Sequence, residues 1–158
     1  MNRTNEIVQY FLTHRSVTVE LVNKIEKEHY DYKPTPTSMP AKDLVTHMLF
    51  TFYKFAKVAK SGNPALFREK IEEPETDLQK LAETYTEKTK SLLESLTDED
   101  FDRMLDLTQI FGAQLSVAQF LQSAMDHEIH HKGQLFVYVR GMGHTELPLF
   151  IKTRLKTD

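Results

Sequence analysis

The chain has 158 residues, enough to close one core without disulfide or metal staples, and a single helical-bundle domain over 1–158 is expected. Charged residues at 27% and hydrophobic residues at 40% exclude a disordered or fibrous chain. A formal net charge of -3, with basic and acidic residues interleaved, argues against a nucleic-acid partner, and the absence of cysteine removes disulfides, thiolate nucleophiles and zinc fingers, leaving His, Asp and Glu as metal donors.

In chain order, Ile7, Tyr10, Phe11, His14, Val17, Thr18, Leu21, Val22 and Ile25 recur at three- and four-residue steps with no Pro or Gly between them. That spacing predicts an amphipathic helix over about 4 to 28. Pro34, Pro36 and Pro40 then force a loop, with Ser38 and Met39 as candidate caps and Pro40 in the first turn of the next helix. Helix two, about 41 to 60, carries Leu44, His47, Met48, Thr51, Phe52, Phe55 and Ala59 on one face and stops at Ser61-Gly62-Asn63-Pro64. A third helix over about 75 to 96 follows a capping-box spacing at Thr76 and Gln79.

Residues 97 to 115 break the period, and an irregular segment or short hairpin is expected there. Ser116 and Gln119 repeat the capping-box spacing, and Val117, Phe120, Leu121, Ala124, His127, His131 and Leu135 carry a fourth helix over about 116 to 140. The tail beyond Met142 should pack back across the bundle. Together these segments read as all-α, a four-helix bundle, whose interior is a usual place for metal sites. The N-terminus MNRTNEIVQYFLTHRS has no apolar run fit for a signal peptide, and no stretch of 18 apolar residues appears, so a cytoplasmic protein with no membrane partner is expected.

The seven histidines are sorted by helix geometry. At about 100° per residue, His131 lies roughly 40° from His127, on the same stripe as Val117, Phe120, Ala124 and Leu135. Two imidazoles one turn apart can converge on a single ion. His47, between Leu44 and Thr51 on another helix, is read as inward too. One lone histidine on an apolar stripe is ordinarily a hydrogen-bonded core residue; a pair four apart with a third facing it points to a metal. Three neutral His donors leave coordination positions open, the arrangement of a catalytic site.

His130 projects to about -60° from His127, a surface or supporting position. His14 is read as a core or pocket-wall histidine ahead of a fourth ligand, and His29 and His144, at segment ends, as solvent-facing. Glu128, roughly 100° from His127, is placed to support a ligand or, as a catalytic base, to act on metal-activated water.

The string His127-Glu128-Ile129-His130-His131 matches the H-E-x-x-H of zinc proteases. The longer metzincin pattern fails, because Gln134 and Val137 stand where Gly and His are required. Glu128 with His131, and Glu26 with His29, match the Glu-x-x-His unit of di-iron bundles, but helix two offers His47 and no glutamate. A mononuclear, nitrogen-rich site holding zinc, nickel or iron fits better.

The segments HEIHHKGQLFVYVRGMG and PAKDLVTHMLF resemble the DinB/YfiT-like superfamily over nearly the whole chain. The resemblance implies a four-helix bundle with one His ligand on the second helix and an H-x-x-x-H pair on the last, positions held here by His47, His127 and His131. Lys132 stands where Arg is more familiar, a change expected to be exposed. His14, His130, Gln134 and Tyr138 complete the expected surroundings as pocket-lining or ligand-supporting residues.

Characterised members include thiol-dependent transferases and isomerases using bacillithiol, mycothiol or glutathione. The resemblance implies the site and suggests its chemistry, and with the open three-His coordination the first reading is a metal-dependent transferase joining a small-molecule thiol to an electrophile. A hydrolase working through metal-activated water, with Glu128 or His130 moving the proton, and a non-enzymatic stress-response binding module are the alternatives. A bundle of this size can also form a homodimer through a helix face, though no face is singled out.

Overall fold

The computed structural model describes residues 2–153. Four long helices carry the architecture: α1 (Arg3–Val22), α2 (Ala41–Ser61), α3 (Leu78–Glu94) and α6 (Val117–Gly141). The short helices α4 (Asp98–Asp102) and α5 (Thr108–Phe111) and the strands β1 (Met104–Leu107) and β2 (Ala113–Ser116) lie between α3 and α6. Both α1 and α2 pack against α3 and α6, which sets α1 diagonally across from α2. The fold is the expected four-helix bundle with one small antiparallel sheet added.

Helix ends follow the local hydrogen bonding. α1 stops at Val22, short of the expected 28, because the amides of Lys24 and Ile25 turn to the carbonyls of Leu21 and Val22 and tighten the chain into a turn. Lys27–His29 then form a separate 3-10 turn. α2 starts at Ala41 with Pro40 as its cap residue; Ser38 bonds Thr35 instead, so neither Ser38 nor Met39 caps the helix. Its first amides are satisfied from outside, Ala41 donating to the Tyr32 carbonyl and Lys42 to that of Tyr30. Gly62, at φ 75°, ends α2 in the left-handed conformation. For α3 the capping side chain is Asp77, accepting from Gln79 and Lys80, rather than Thr76. The Ser116/Gln119 box that opens α6 is formed in both directions.

Of the irregular segment and the short hairpin expected over 97 to 115, the hairpin is formed: β1 pairs with β2 in register Leu105↔Leu115, and the single helical turn α5 forms its tip before Gly112. Alternation along β1 buries Leu105 and Leu107 and exposes Met104. Beyond Gly141 the tail does return across the bundle. The Lys152 amide donates to the Thr13 carbonyl, and the Phe150 carbonyl accepts from the Lys132 ammonium, while the Leu149 and Phe150 side chains stay exposed.

The core is divided into two apolar clusters. One gathers Val8 and Phe11 of α1, Phe52 to Ala59 of α2 and Val117 to Met125 of α6. The other gathers Val17 to Ile25, Ala41 to Leu49, Leu78 to Tyr85 and Leu135 to Val139. Between them α1 contributes buried His14, Arg15 and Thr18, and α6 contributes buried Glu128, His131 and Lys132. A polar belt thus crosses the bundle at mid-height, and the histidine site sits at that level. No helix among the described residues is long and apolar enough to cross a membrane.

Candidate metal centre

His127 and His131 come from successive turns of α6 and His47 from α2, which packs beside it. One ring nitrogen from each lies within 4.8 Å of the others. Their rings stand edge to face, with centroids 4.7 Å apart for His47 and His127, 4.8 Å for His47 and His131, and 4.4 Å for His127 and His131.

Hydrogen bonds fix how the rings are turned. His131 donates from Nδ1 to Gln134 Oε1 at 2.8 Å, which leaves its Nε2 with a lone pair available. His47 Nδ1 lies 3.4 Å from the Thr51 hydroxyl one turn along α2, and its Nε2 points at His127 Nε2, 2.9 Å away. That last spacing is an imidazole hydrogen bond. Four-coordinate binding with bonds of about 2.0–2.1 Å needs ligand nitrogens roughly 3.3 Å apart, so a rotation of a few tenths of an ångström would convert the pair into two ligands.

Electrostatics favour the neutral donor form. Burial lowers the His127 pKa to about 4, assisted by the neighbouring His131 and His47. His47 is lowered in the same way, by burial first and then by His131 and Lys54. Neutral imidazoles are what a divalent ion requires. The donor set therefore fits a metal.

Several sequence expectations need adjustment. His47, read as inward, is exposed at the rim, and His127 is half-buried; only His131 is buried. The pair sits at the edge of the stripe, because the centre of the α6 face at this level is occupied by Glu128 and Lys132. His29 and His144, read as solvent-facing, are half-buried. Glu26, Glu28 and His29 form a second cluster of donors, with both carboxylates exposed. His130 is exposed as expected, its ring 4.8 Å from His131 and its Nε2 3.4 Å from the Gln134 amide nitrogen.

Glu128 does not face the histidine nitrogens as a base would. Its Oε1 accepts from Arg15 Nη2 at 2.7 Å, and its Oε2 accepts from Arg15 Nε at 3.0 Å and from the Thr18 hydroxyl at 2.7 Å. Burial alone would push this carboxyl up, but Arg15 and Thr18 together hold it below its ordinary value. Both oxygens are committed to α1. Lys132, expected on the surface, is 3% exposed and donates to His14 Nδ1 at 2.6 Å and to the Phe150 carbonyl. Burial lowers its pKa and that of His14 alike. His14 is thus a satisfied core histidine engaged by Lys132. The Tyr138 hydroxyl donates to the Met39 carbonyl at 2.7 Å and so ties α6 to the Pro-rich loop. Sequence reasoning missed Arg15 and Thr18 as partners of Glu128, although three-residue spacing on α1 places them on one face.

Comparison with known proteins agrees with this architecture. The pattern of the DinB family matches residues 1–155. The protein YjoA of Bacillus subtilis, described as uncharacterized, is 58% identical over 150 residues, which is 95% of this chain and 97% of that protein. The crystal structure of a DinB-like protein, YjoA of Bacillus subtilis, is 56% identical and superposes with a TM-score of 0.89 over 94% of this chain and 100% of that one. A DinB-like protein from Bacillus cereus shares the fold, with a TM-score of 0.69 at 19% identity over 91% of this chain and 95% of that one.

Proposed function

As the chain belongs to the DinB family, we propose that His47, His127 and His131 hold one divalent metal ion and that the protein works as a metal-dependent transferase with a low-molecular-weight thiol. The observation that carries the metal reading is the convergence of three imidazole nitrogens within 4.8 Å, with the outer nitrogen of His131 tied to Gln134. Among the described residues no carboxylate joins that group, so coordination positions remain for a ligand. Imidazole donors suit zinc, nickel or iron.

A bound ion would supply Lewis acidity that favours the deprotonated, nucleophilic form of a thiol near neutral pH. The protein's own residues do the rest. Gln134 and Thr51 orient the His131 and His47 rings, and partial burial keeps His127 neutral. The exposed rim at His47 gives small molecules access. Transfer is preferred to hydrolysis because the carboxylate next to the site, Glu128, is spent on Arg15 and Thr18 and offers no free oxygen to take a proton from water.

The test is metal content by mass spectrometry on tag-free protein, wild type beside His127→Ala, with thiol titrations followed by calorimetry. Near-stoichiometric metal that disappears in the variant, together with thiol binding that requires the metal, is the expected result. Protein that takes up no metal on reconstitution would return the histidines to a hydrogen-bonding role. Metal without thiol binding, with Glu128→Gln abolishing a hydrolytic turnover, would favour the hydrolase.

A further inference from the structure

Beside the histidines, the Pro-rich loop and the last turns of α6 enclose a groove of about 330 Å³. Pro34, Thr37, Ser38 and Met39 form its loop bank, and Gln134, Val137 and Tyr138 form its helix bank. We propose that this groove is the subsite for an uncharged small molecule bearing a hydrogen-bond acceptor, the co-substrate of the adjoining metal centre. The assignment rests on the transferase reading for its role but on its own observations for its chemistry.

Gln134 joins the two places. Its Oε1 is held by His131 Nδ1, which leaves the side-chain amide nitrogen as a fixed donor at the groove's edge, where the neighbouring His130 is its other contact at 3.4 Å. Met39 and Val137 face this space from opposite banks, 37% and 55% exposed, and both are among the few large hydrophobic side chains left in solvent. Among the described residues no Lys, Arg, Asp or Glu lines the groove, and the Tyr138 hydroxyl is already used on the Met39 carbonyl. An anion would therefore enter without a cationic partner among these residues, whereas a neutral carbonyl compound gains the Gln134 donor, the Thr37 and Ser38 hydroxyls beside it and two apolar walls.

The groove is also built to hold its shape. Tyr138 fastens Met39, the Tyr32 carbonyl accepts from the first amide of α2, and the Tyr32 ring lies edge-on to Tyr138 with centroids 6.1 Å apart. Gly141 allows this approach, since a β-carbon there would fall 1.8 Å from the Tyr32 hydroxyl. The loop bank is preformed on α6.

Methyl chemical shifts of the full-length protein, titrated with the neutral amide N-methylbenzamide and with its anionic counterpart hippurate, test the assignment. The neutral probe should move the Met39 and Val137 methyls saturably while leaving Met104 on the hairpin unmoved, and hippurate should bind at least about tenfold more weakly. Val137→Glu, a change at an exposed position, should abolish the response of the Met39 methyl without altering metal content. Equal binding of both probes, or shifts at Met39 and Val137 no larger than at Met104, would overturn the subsite. Because the readout does not need metal, loss of the metal reading leaves this result intact, and failure here leaves metal binding intact.

Discussion

Helix α6 carries two pairs of functional groups at the same height, each with four-residue spacing, and treats them in opposite ways. Glu128 and Lys132 face α1 and are closed by internal partners: Arg15 and Thr18 take the carboxylate, while His14 and the Phe150 carbonyl take the ammonium. His127 and His131 face α2 and keep nitrogen lone pairs that no protein donor is obliged to fill, apart from the soft His47 contact. Adjacent residues in one turn are thus divided between holding the bundle together and offering ligand atoms. Chemical type alone did not predict the division; what matters is which neighbouring helix supplies the answer.

The largest effect should come from breaking the closed pair. Glu128→Ala would leave the Arg15 guanidinium, 0% exposed, without its carboxylate, and should cost about 3–5 kcal/mol in urea denaturation. Replacing Arg15 and Glu128 together by Met should restore most of that loss, because the pair's desolvation cost then vanishes with its attraction. A single variant that unfolds no earlier than wild type would mean that Glu128 is free to act elsewhere.

The open pair should respond in the reverse sense. His127→Ala removes a half-buried ring and should change stability of the metal-free protein by no more than about 1 kcal/mol, while metal affinity falls at least about 100-fold. Comparing melting curves of both proteins with and without added zinc checks this: wild type should gain stability from the ion and the variant should not. A smaller effect is expected at Gln134→Leu. Losing the acceptor on His131 Nδ1 should weaken metal binding about 10- to 100-fold at unchanged metal-free stability, as read by competition with a chelating dye.

These contrasts explain how much was legible beforehand. The bundle and the Ser116/Gln119 cap follow from period and capping chemistry, which are local, whereas over 97–115 the period only breaks and leaves an irregular segment and a hairpin equally open. The convergence of His47 with His127 and His131 was also legible, since helical spacing limits which residues share a face. What sequence could not give was the polar belt. An angle of about 100° from His127 is compatible with a base facing a metal or with a buried ion pair, and only the placement of Arg15 on the diagonal side decides. Lys132 was misread for the same reason: its burial depends on a tail returning from residue 150, a contact across 18 positions. His47 showed the limit of one-dimensional patterning, because neighbours such as Leu44 and Met48 are fully buried while it sits at the rim.

The last and smallest effect lies away from both pairs and shows how a charged cluster behaves when it is closed but near solvent. Asp100 accepts from the Thr97 amide at 2.9 Å, from Lys60 of α2 at 3.2 Å and from Arg103 at 2.6 Å. The Thr97 hydrogen bond first, then Lys60, hold its pKa down to about 2, against the opposing influence of burial. A carboxylate lowered on folding stabilises above its unfolded value of 3.8 and loses that contribution as pH falls through its folded value. Stability from this group should therefore be constant above about pH 5 and decline between about pH 4 and 2. Lys60 and Arg103 are 41% and 37% exposed, so screening limits the contribution to about 1 kcal/mol. Asp100→Asn should flatten the fall in urea midpoint across that window, and the difference from wild type should shrink in high salt. A flattening that persisted undiminished in salt would place the cluster with the closed, water-excluded pair of Glu128 and Arg15 instead.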